Sequence, residues 1–109
     1  MTKILKKIFT SFVILSFLNS ITFAQSISNN ALPTNPTISS GSANISQTTN
    51  KLTVNQNTDK LITNWSSFNI GKDATVQFVQ PSSTSSALNR VTSSDPSYIF
   101  GTLQANGKI

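Results

Sequence analysis

Apolar residues are distributed along this chain in two different ways. Near the N-terminus they are continuous: Ile8 to Leu18 (IFTSFVILSFL) runs without a charge. Further on they alternate with polar residues. Ala43 and Ile45 alternate with Ser42, Asn44 and Ser46, and Leu52 and Val54 with Lys51, Thr53 and Asn55. Phe68 and Ile70 alternate with Ser67 and Asn69, and Val76 and Phe78 with Thr75 and Gln77. A period of two predicts half-buried strands. Breakers fall between them: Ser39-Ser40-Gly41, Asn55-Gln56-Asn57, Gly71-Lys72-Asp73, Pro81-Ser82-Ser83 and Ser93-Ser94-Asp95-Pro96, with Asn106-Gly107 as a further turn dipeptide. The polar, proline-bearing run Gln25 to Pro36 reads as an extended lead-in. No sustained helical stripe occurs after it. Strands recurring every ~8–12 residues fit an all-β sandwich, a barrel or a β-solenoid, and periodicity does not choose among these. A nearly uncharged surface rich in Ser, Thr and Asn favours stacked coils, in which polar side chains form hydrogen-bonded ladders.

The continuous apolar run has a different meaning. Lys3, Lys6 and Lys7 precede it, and the small residues Thr22 and Ala24 flank Phe23 after it. A basic start, a short apolar stretch and a small-residue exit make a secretory signal peptide. The run is shorter than the ~20 residues of a stable membrane anchor. Residues 1–24 are therefore expected to be removed by a cut between Ala24 and Gln25, leaving 25–109 as the mature segment.

That cut changes the charge argument. The formal net charge of +5 falls to +2, because Lys51, Lys60, Lys72, Arg90 and Lys108 remain against Asp59, Asp73 and Asp95. So small and scattered an excess gives no ground for nucleic-acid binding. Cysteine, histidine and glutamate are absent from the sequence. No disulfide supports the fold, and most metal-binding and acid–base chemistry lacks its usual residues. The three aspartates are isolated and lie in turns, whereas glycoside chemistry needs paired carboxylates at a defined separation. No enzyme activity, cofactor, metal or small-molecule substrate is expected.

From Ala31 onward the sequence resembles the N-terminal secretion domain of two-partner-secretion exoproteins of the filamentous-haemagglutinin type. The matching stretches are Ala31-Leu32-Pro33-Thr34, Gly41-Ser42-Ala43 with Ile45-Ser46, Asn64 to Gly71 (NWSSFNIG) and Val76 to Pro81 (VQFVQP). They continue through Ala87 to Thr92 (ALNRVT), Asp95-Pro96-Ser97, Ile99-Phe100-Gly101 and Ala105-Asn106-Gly107. Ser93 and Ser94 stand where the family usually has glycine, and the sequence stops at Ile109, before a further strand and an Asn-Pro-Asn-Gly-Ile-like motif. The resemblance implies an all-β, right-handed parallel β-helix, a single-stranded solenoid with an N-terminal cap, here incomplete at the C-terminus. Ile45, Val54, Ile62, Phe68, Ile70, Val76, Phe78 and Leu88 would point inward, and the stretch before Ser42 would supply the cap. The implied role is recognition in the periplasm of a Gram-negative bacterium by a partner outer-membrane β-barrel transporter, which exports the chain to the cell surface or beyond. Two other readings stand beside it: a surface adhesin module binding host-cell carbohydrate or protein, and a gene remnant without function.

Within that frame Asn89, Arg90, Asp95 and Pro96 are the candidate transporter-recognition residues. Arg90 is the only arginine and sits between apolar Leu88 and Val91. Its guanidinium either emerges to meet a partner or pairs with Asp95 across the Ser93-Ser94 turn. Asp95-Pro96 also has turn-shaping chemistry. Trp65 opens an apolar stretch and is expected in the core, with a partner contact as its other use. Asn44-Ile45-Ser46 and Asn64-Trp65-Ser66 match the glycosylation sequon, a short pattern that recurs by chance.

Overall fold

The structure is a computed structural model that describes residues 26–109. The expected signal peptide, with its Ala24–Gln25 bond, lies outside the described residues. The described chain is all-β, with seven strands and no helix: β1 (Thr37–Ser40), β2 (Ala43–Gln47), β3 (Lys51–Gln56), β4 (Lys60–Trp65), β5 (Thr75–Val79), β6 (Ser86–Val91) and β7 (Thr102–Ala105). They form two open sheets, in the order β2-β3-β5-β7 and β1-β4-β6. The pairs β3–β5, β5–β7 and β4–β6 are parallel. The pairs β1–β4 and β2–β3 at the N-terminal edge are antiparallel. Isolated bridges join Ile70 to Ile99 and Ser86 to Lys108, both parallel. The chain thus visits the same lateral positions repeatedly: β3, β4 and Ile70, then β5, β6 and Ile99, then β7 and Lys108.

Parallel register converts the alternation of each strand into columns of like side chains. In one sheet Leu52 stands beside Val76 and Val76 beside Leu103, while Val54 stands beside Phe78 and Phe78 beside Ala105. Leu52, Val54, Val76 and Phe78 are fully buried. The expected inward positions Val54, Phe68, Ile70, Val76 and Phe78 all lie in the core, and Ile45 packs against it half-buried. Phe68 and Ile70 nevertheless belong to no strand: Ile70 makes only an isolated bridge.

The other sheet departs from expectation at two positions. Leu61, Thr63 and Trp65 point inward from β4, so Ile62 faces outward and is only half-buried. On β6 Ala87 is buried, while Leu88 is 53% exposed and outward. The cause is Trp65, which is 0% exposed. Burying the largest side chain fixes the parity of β4, and the register Trp65↔Val91, Leu61↔Ala87 transmits that parity to β6.

The turn expected at Asn55-Gln56-Asn57 falls later in the chain, with its bend at Thr58-Asp59. Asn55 and Gln56 end β3, and Gln56 continues the inward column as a buried amide. Its Nε2 donates to the carbonyls of Thr58 (2.8 Å), Asp59 (3.1 Å) and Ser86 (3.0 Å). Gln80 repeats the position after β5, with Nε2 donating to Gln56 Oε1 (3.3 Å) and to the Lys108 carbonyl (3.0 Å). A polar spine therefore runs beside the apolar columns, each buried amide finding partners. Gly41, at φ 84, makes the tight return from β1 to β2 that a residue with a Cβ would resist.

The described part of the lead-in forms no strand and is not extended throughout: it turns at Asn29-Asn30, where the Ala31 amide donates to the Ser28 carbonyl (3.0 Å), and Asn35 takes a φ of 51, yet it is tied down. The Gly71 amide donates to the Ala31 carbonyl (2.9 Å), Thr34 and Ser66–Ser67 exchange backbone hydrogen bonds, and Leu32 is buried.

Candidate recognition site

The candidate residues fall on β6 and the loop that follows it. Alternation along β6 sends Asn89 inward and Arg90 outward, so these sequence neighbours do different things. Asn89 Oδ1 accepts a hydrogen bond from the Trp65 indole Nε1 at 3.0 Å. The indole N–H, which a buried tryptophan must satisfy, is thereby met. Trp65 also meets Phe68 edge-to-face, with centroids 5.5 Å apart and planes at 82°. Trp65 is thus a core residue and Asn89 its polar support.

Arg90 lies across the outside of the β1-β4-β6 sheet. Its Nε donates to Asn64 Oδ1 (3.0 Å), and its Nη2 to Ser39 Oγ (3.4 Å). One exposed side chain thus links all three strands, from β6 over β4 to β1. Among the described residues the pairing with Asp95 does not form; the guanidinium has turned to the neutral acceptors of its own sheet. Asp95 and Pro96 lie in an exposed bend beyond the strand. The fold therefore brings Arg90 together with Asn64 and Ser39, and leaves Asp95 and Pro96 apart from that cluster.

Two residues join this face that the sequence reading placed inside. Ile62 and Leu88 are register partners on the outer side, one rung from Asn64 and Arg90. The face thus combines the half-buried Ile62 and the exposed Leu88 with a guanidinium held by neutral partners. The signal for this was in the sequence: once Trp65 is placed in the core, counting back by twos makes Thr63 and Leu61 inward and Ile62 outward. The sequon residues differ in the same way. Asn44 is exposed on β2, while Asn64 is half-buried and accepts from Arg90.

The fold is one of parallel strands flanked by antiparallel ones at the N-terminal edge. Comparison with known proteins names the class. A family model described as TPS secretion domain matches residues 24–109. The chain belongs to this family of secretion domains. It is 40% identical over 99 residues to the heme/hemopexin-binding protein of Haemophilus influenzae (strain ATCC 51907 / DSM 11121 / KW20 / Rd), a match covering 91% of this chain and 11% of that protein. A second heme/hemopexin-binding protein of Haemophilus influenzae is 43% identical over 70 residues, covering 63% of this chain and 8% of the relative. The crystal structure of the HMW1 secretion domain from Haemophilus influenzae superposes with a TM-score of 0.64 at 35% identity, covering 69% of this chain and 20% of that one. The chain thus spans a small part of the length of the relatives it matches.

Proposed function

We propose that this domain is the export address of a longer exoprotein, read in the periplasm of a Gram-negative bacterium by a partner outer-membrane β-barrel transporter. The observation that carries this reading is the family match to residues 24–109, which takes in every described strand. We read the fold as a right-handed parallel β-helix: β3, β5 and β7 stack in one column and β4 and β6 in another, as successive coils would. The antiparallel strands β1 and β2 act as its cap, covering the first coil's open edge and extending the cap beyond Ser42 to Gln47. The basic start, short apolar run and small-residue exit of residues 1–24 are the ground for cleavage between Ala24 and Gln25.

Within the domain, the outer face of β4 and β6 is our choice for transporter contact. Arg90, a residue type enriched at protein interfaces, supplies a charge, and the exposed Leu88 beside it supplies apolar area. Asn89 acts on this face only indirectly, by holding Trp65 and with it the parity of the sheet. Asp95 and Pro96 set the bend that leads away from the face.

The test is binding of the exported chain to the isolated periplasmic domains of its transporter, followed by calorimetry. Saturable binding that Arg90→Glu weakens by about tenfold or more, with unchanged thermal stability, is the expected result; that factor corresponds to ~1.4 kcal/mol. No binding by the unsubstituted chain, together with saturable binding to glycans, would replace this reading with an adhesin.

A further inference from the structure

Asn106-Gly107 sits at the end of the polar spine, and each residue is required there for a packing reason. Asn106 makes a two-point contact with the backbone of Gln80. Its Oδ1 accepts from the Gln80 amide (2.7 Å), and its Nδ2 donates to the Gln80 carbonyl (2.8 Å). Only a side-chain amide offers an acceptor and a donor at this spacing; aspartate has no donor for the second contact. Gly107 is not present for a left-handed φ, since Gly41 is the only glycine of that kind among the described residues. It is required by close approach: a Cβ would lie 2.7 Å from Gln80 Oε1 and 2.8 Å from the Ser85 carbonyl. Its amide donates to Gln80 Oε1 at 2.7 Å.

Packing has thereby selected the dipeptide most prone to spontaneous deamidation. In that reaction the Gly107 backbone nitrogen, losing its proton to hydroxide, attacks Cγ of Asn106. Ammonia leaves with Nδ2, and a five-membered succinimide closes. Water then opens the ring to aspartate or isoaspartate. Glycine favours the attack because it places no side chain beside the nitrogen.

The folded structure blocks each requirement of this chemistry. The attacking nitrogen is held as a donor to Gln80 Oε1, and the leaving nitrogen and the carbonyl oxygen of Asn106 are both bound to the Gln80 backbone. Rotation of the side chain toward Gly107 breaks two hydrogen bonds at once. We propose that Asn106-Gly107 is a fold-gated deamidation site: protected once the segment from Asn106 to Lys108 has closed on Gln80, and open for as long as the chain stays unfolded. A chain deamidated beforehand carries aspartate or isoaspartate at the rung, with carboxylate facing the Gln80 carbonyl in place of a donor. Time spent unfolded is thus written covalently into this segment.

The experiment follows the exported chain by peptide mass spectrometry with isoaspartate detection, at one mildly alkaline pH, with and without urea. A parallel sample measures hydrogen exchange at the Gly107 amide without urea. The expected result is deamidation at Asn106 slower by about tenfold or more without urea, the factor a local opening free energy of ~1.4 kcal/mol gives, and exchange at Gly107 slowed by a similar factor. Gln80→Ala, which removes the acceptor of the Gly107 amide, is expected to accelerate deamidation without urea and leave the rate in urea unchanged. Equal rates with and without urea, or free exchange at Gly107, overturn the proposal. So does strong exchange protection of Gly107 with no slowing of deamidation. Because the hydrogen-exchange arm uses the unsubstituted chain, the test does not depend on Gln80→Ala folding.

Discussion

The two sheets share one core but fill it differently. In the β2-β3-β5-β7 sheet the paired inward positions of β3 and β5 are aliphatic or aromatic, Leu52 beside Val76 and Val54 beside Phe78, all at most 1% exposed, and the buried amides of Gln56 and Gln80 continue these columns. The β1-β4-β6 sheet places a polar rung, Thr63 beside Asn89, between the apolar rungs Leu61–Ala87 and Trp65–Val91. The first sheet is held by area removed from water, a non-directional force that tolerates exchange of one aliphatic for another. The second is held by one large side chain and the polar atoms arranged around it, which tolerate little. Specificity of register is thus concentrated in the sheet that also carries the outward face with Arg90. Stability is spread more evenly through the other.

Removing the tryptophan breaks this comparison most severely. Trp65→Ala is expected to cost ~3–5 kcal/mol, close to the whole net stability of a small domain. It also removes the residue that fixes the parity of β4 and β6. The expected outcome is loss of cooperative unfolding by circular dichroism. A cooperative melt lowered by only a few degrees would show that the aliphatic sheet suffices to set register.

Next in size is the indole's partner. Asn89→Leu leaves the Trp65 N–H buried without an acceptor, at an expected cost of about 1–3 kcal/mol. Adding Trp65→Phe to that variant removes the orphaned donor. The double variant should therefore be less destabilised than the sum of the two single changes, a coupling that a double-mutant cycle in urea measures. Strict additivity would mean that the 3.0 Å hydrogen bond contributes nothing.

The polar rung holds one atom without a partner among the described residues, Thr63 Oγ1. Its burial carries a desolvation cost with no hydrogen bond to offset it. Thr63→Val keeps the branched shape and removes that atom. It is expected to stabilise the domain by about 1 kcal/mol, a rise in Tm of roughly 4–8 °C for a domain of this size. An unchanged or lower Tm would place a water on the hydroxyl.

The same division explains what the sequence discloses. Where apolar and polar residues strictly alternate, as in Leu52 to Val54 and Val76 to Phe78, period two reads the inward face correctly. Where two apolar residues adjoin, as in Leu61-Ile62 and Ala87-Leu88, both parities fit locally, and the second residue of each pair misleads. The decision lies outside the dipeptide, in Trp65 and in the β4–β6 register. Gln56 and Gln80 are illegible for another reason: a buried glutamine looks like a turn residue until its carbonyl partners, supplied by other strands, are in place. The recognition candidates were legible as a neighbourhood, not as roles. Asn89 and Arg90 adjoin in sequence, and alternation sends one to the core and the other to the surface.

The smallest expected effect on stability tests the outward face. Leu88 is 53% exposed and stands outside the core, so Leu88→Ser removes little buried area. A surface substitution of this kind changes stability by less than about 0.5 kcal/mol, and thermal melting should show almost no shift. Had Leu88 pointed inward, as its apolar character alone implies, the same change would open a cavity and place a hydroxyl in it, costing several times more. The measurement therefore decides the parity of β6 without reference to any partner. Combined with transporter binding it does more. If the face formed by Ile62, Leu88 and Arg90 is the contact surface, Leu88→Ser should weaken binding about tenfold, ~1.4 kcal/mol, while Tm stays fixed. Unchanged binding with unchanged Tm would move the contact away from this sheet. A large fall in Tm would return Leu88 to the core and make β4 and β6 one residue out of phase with the register described above.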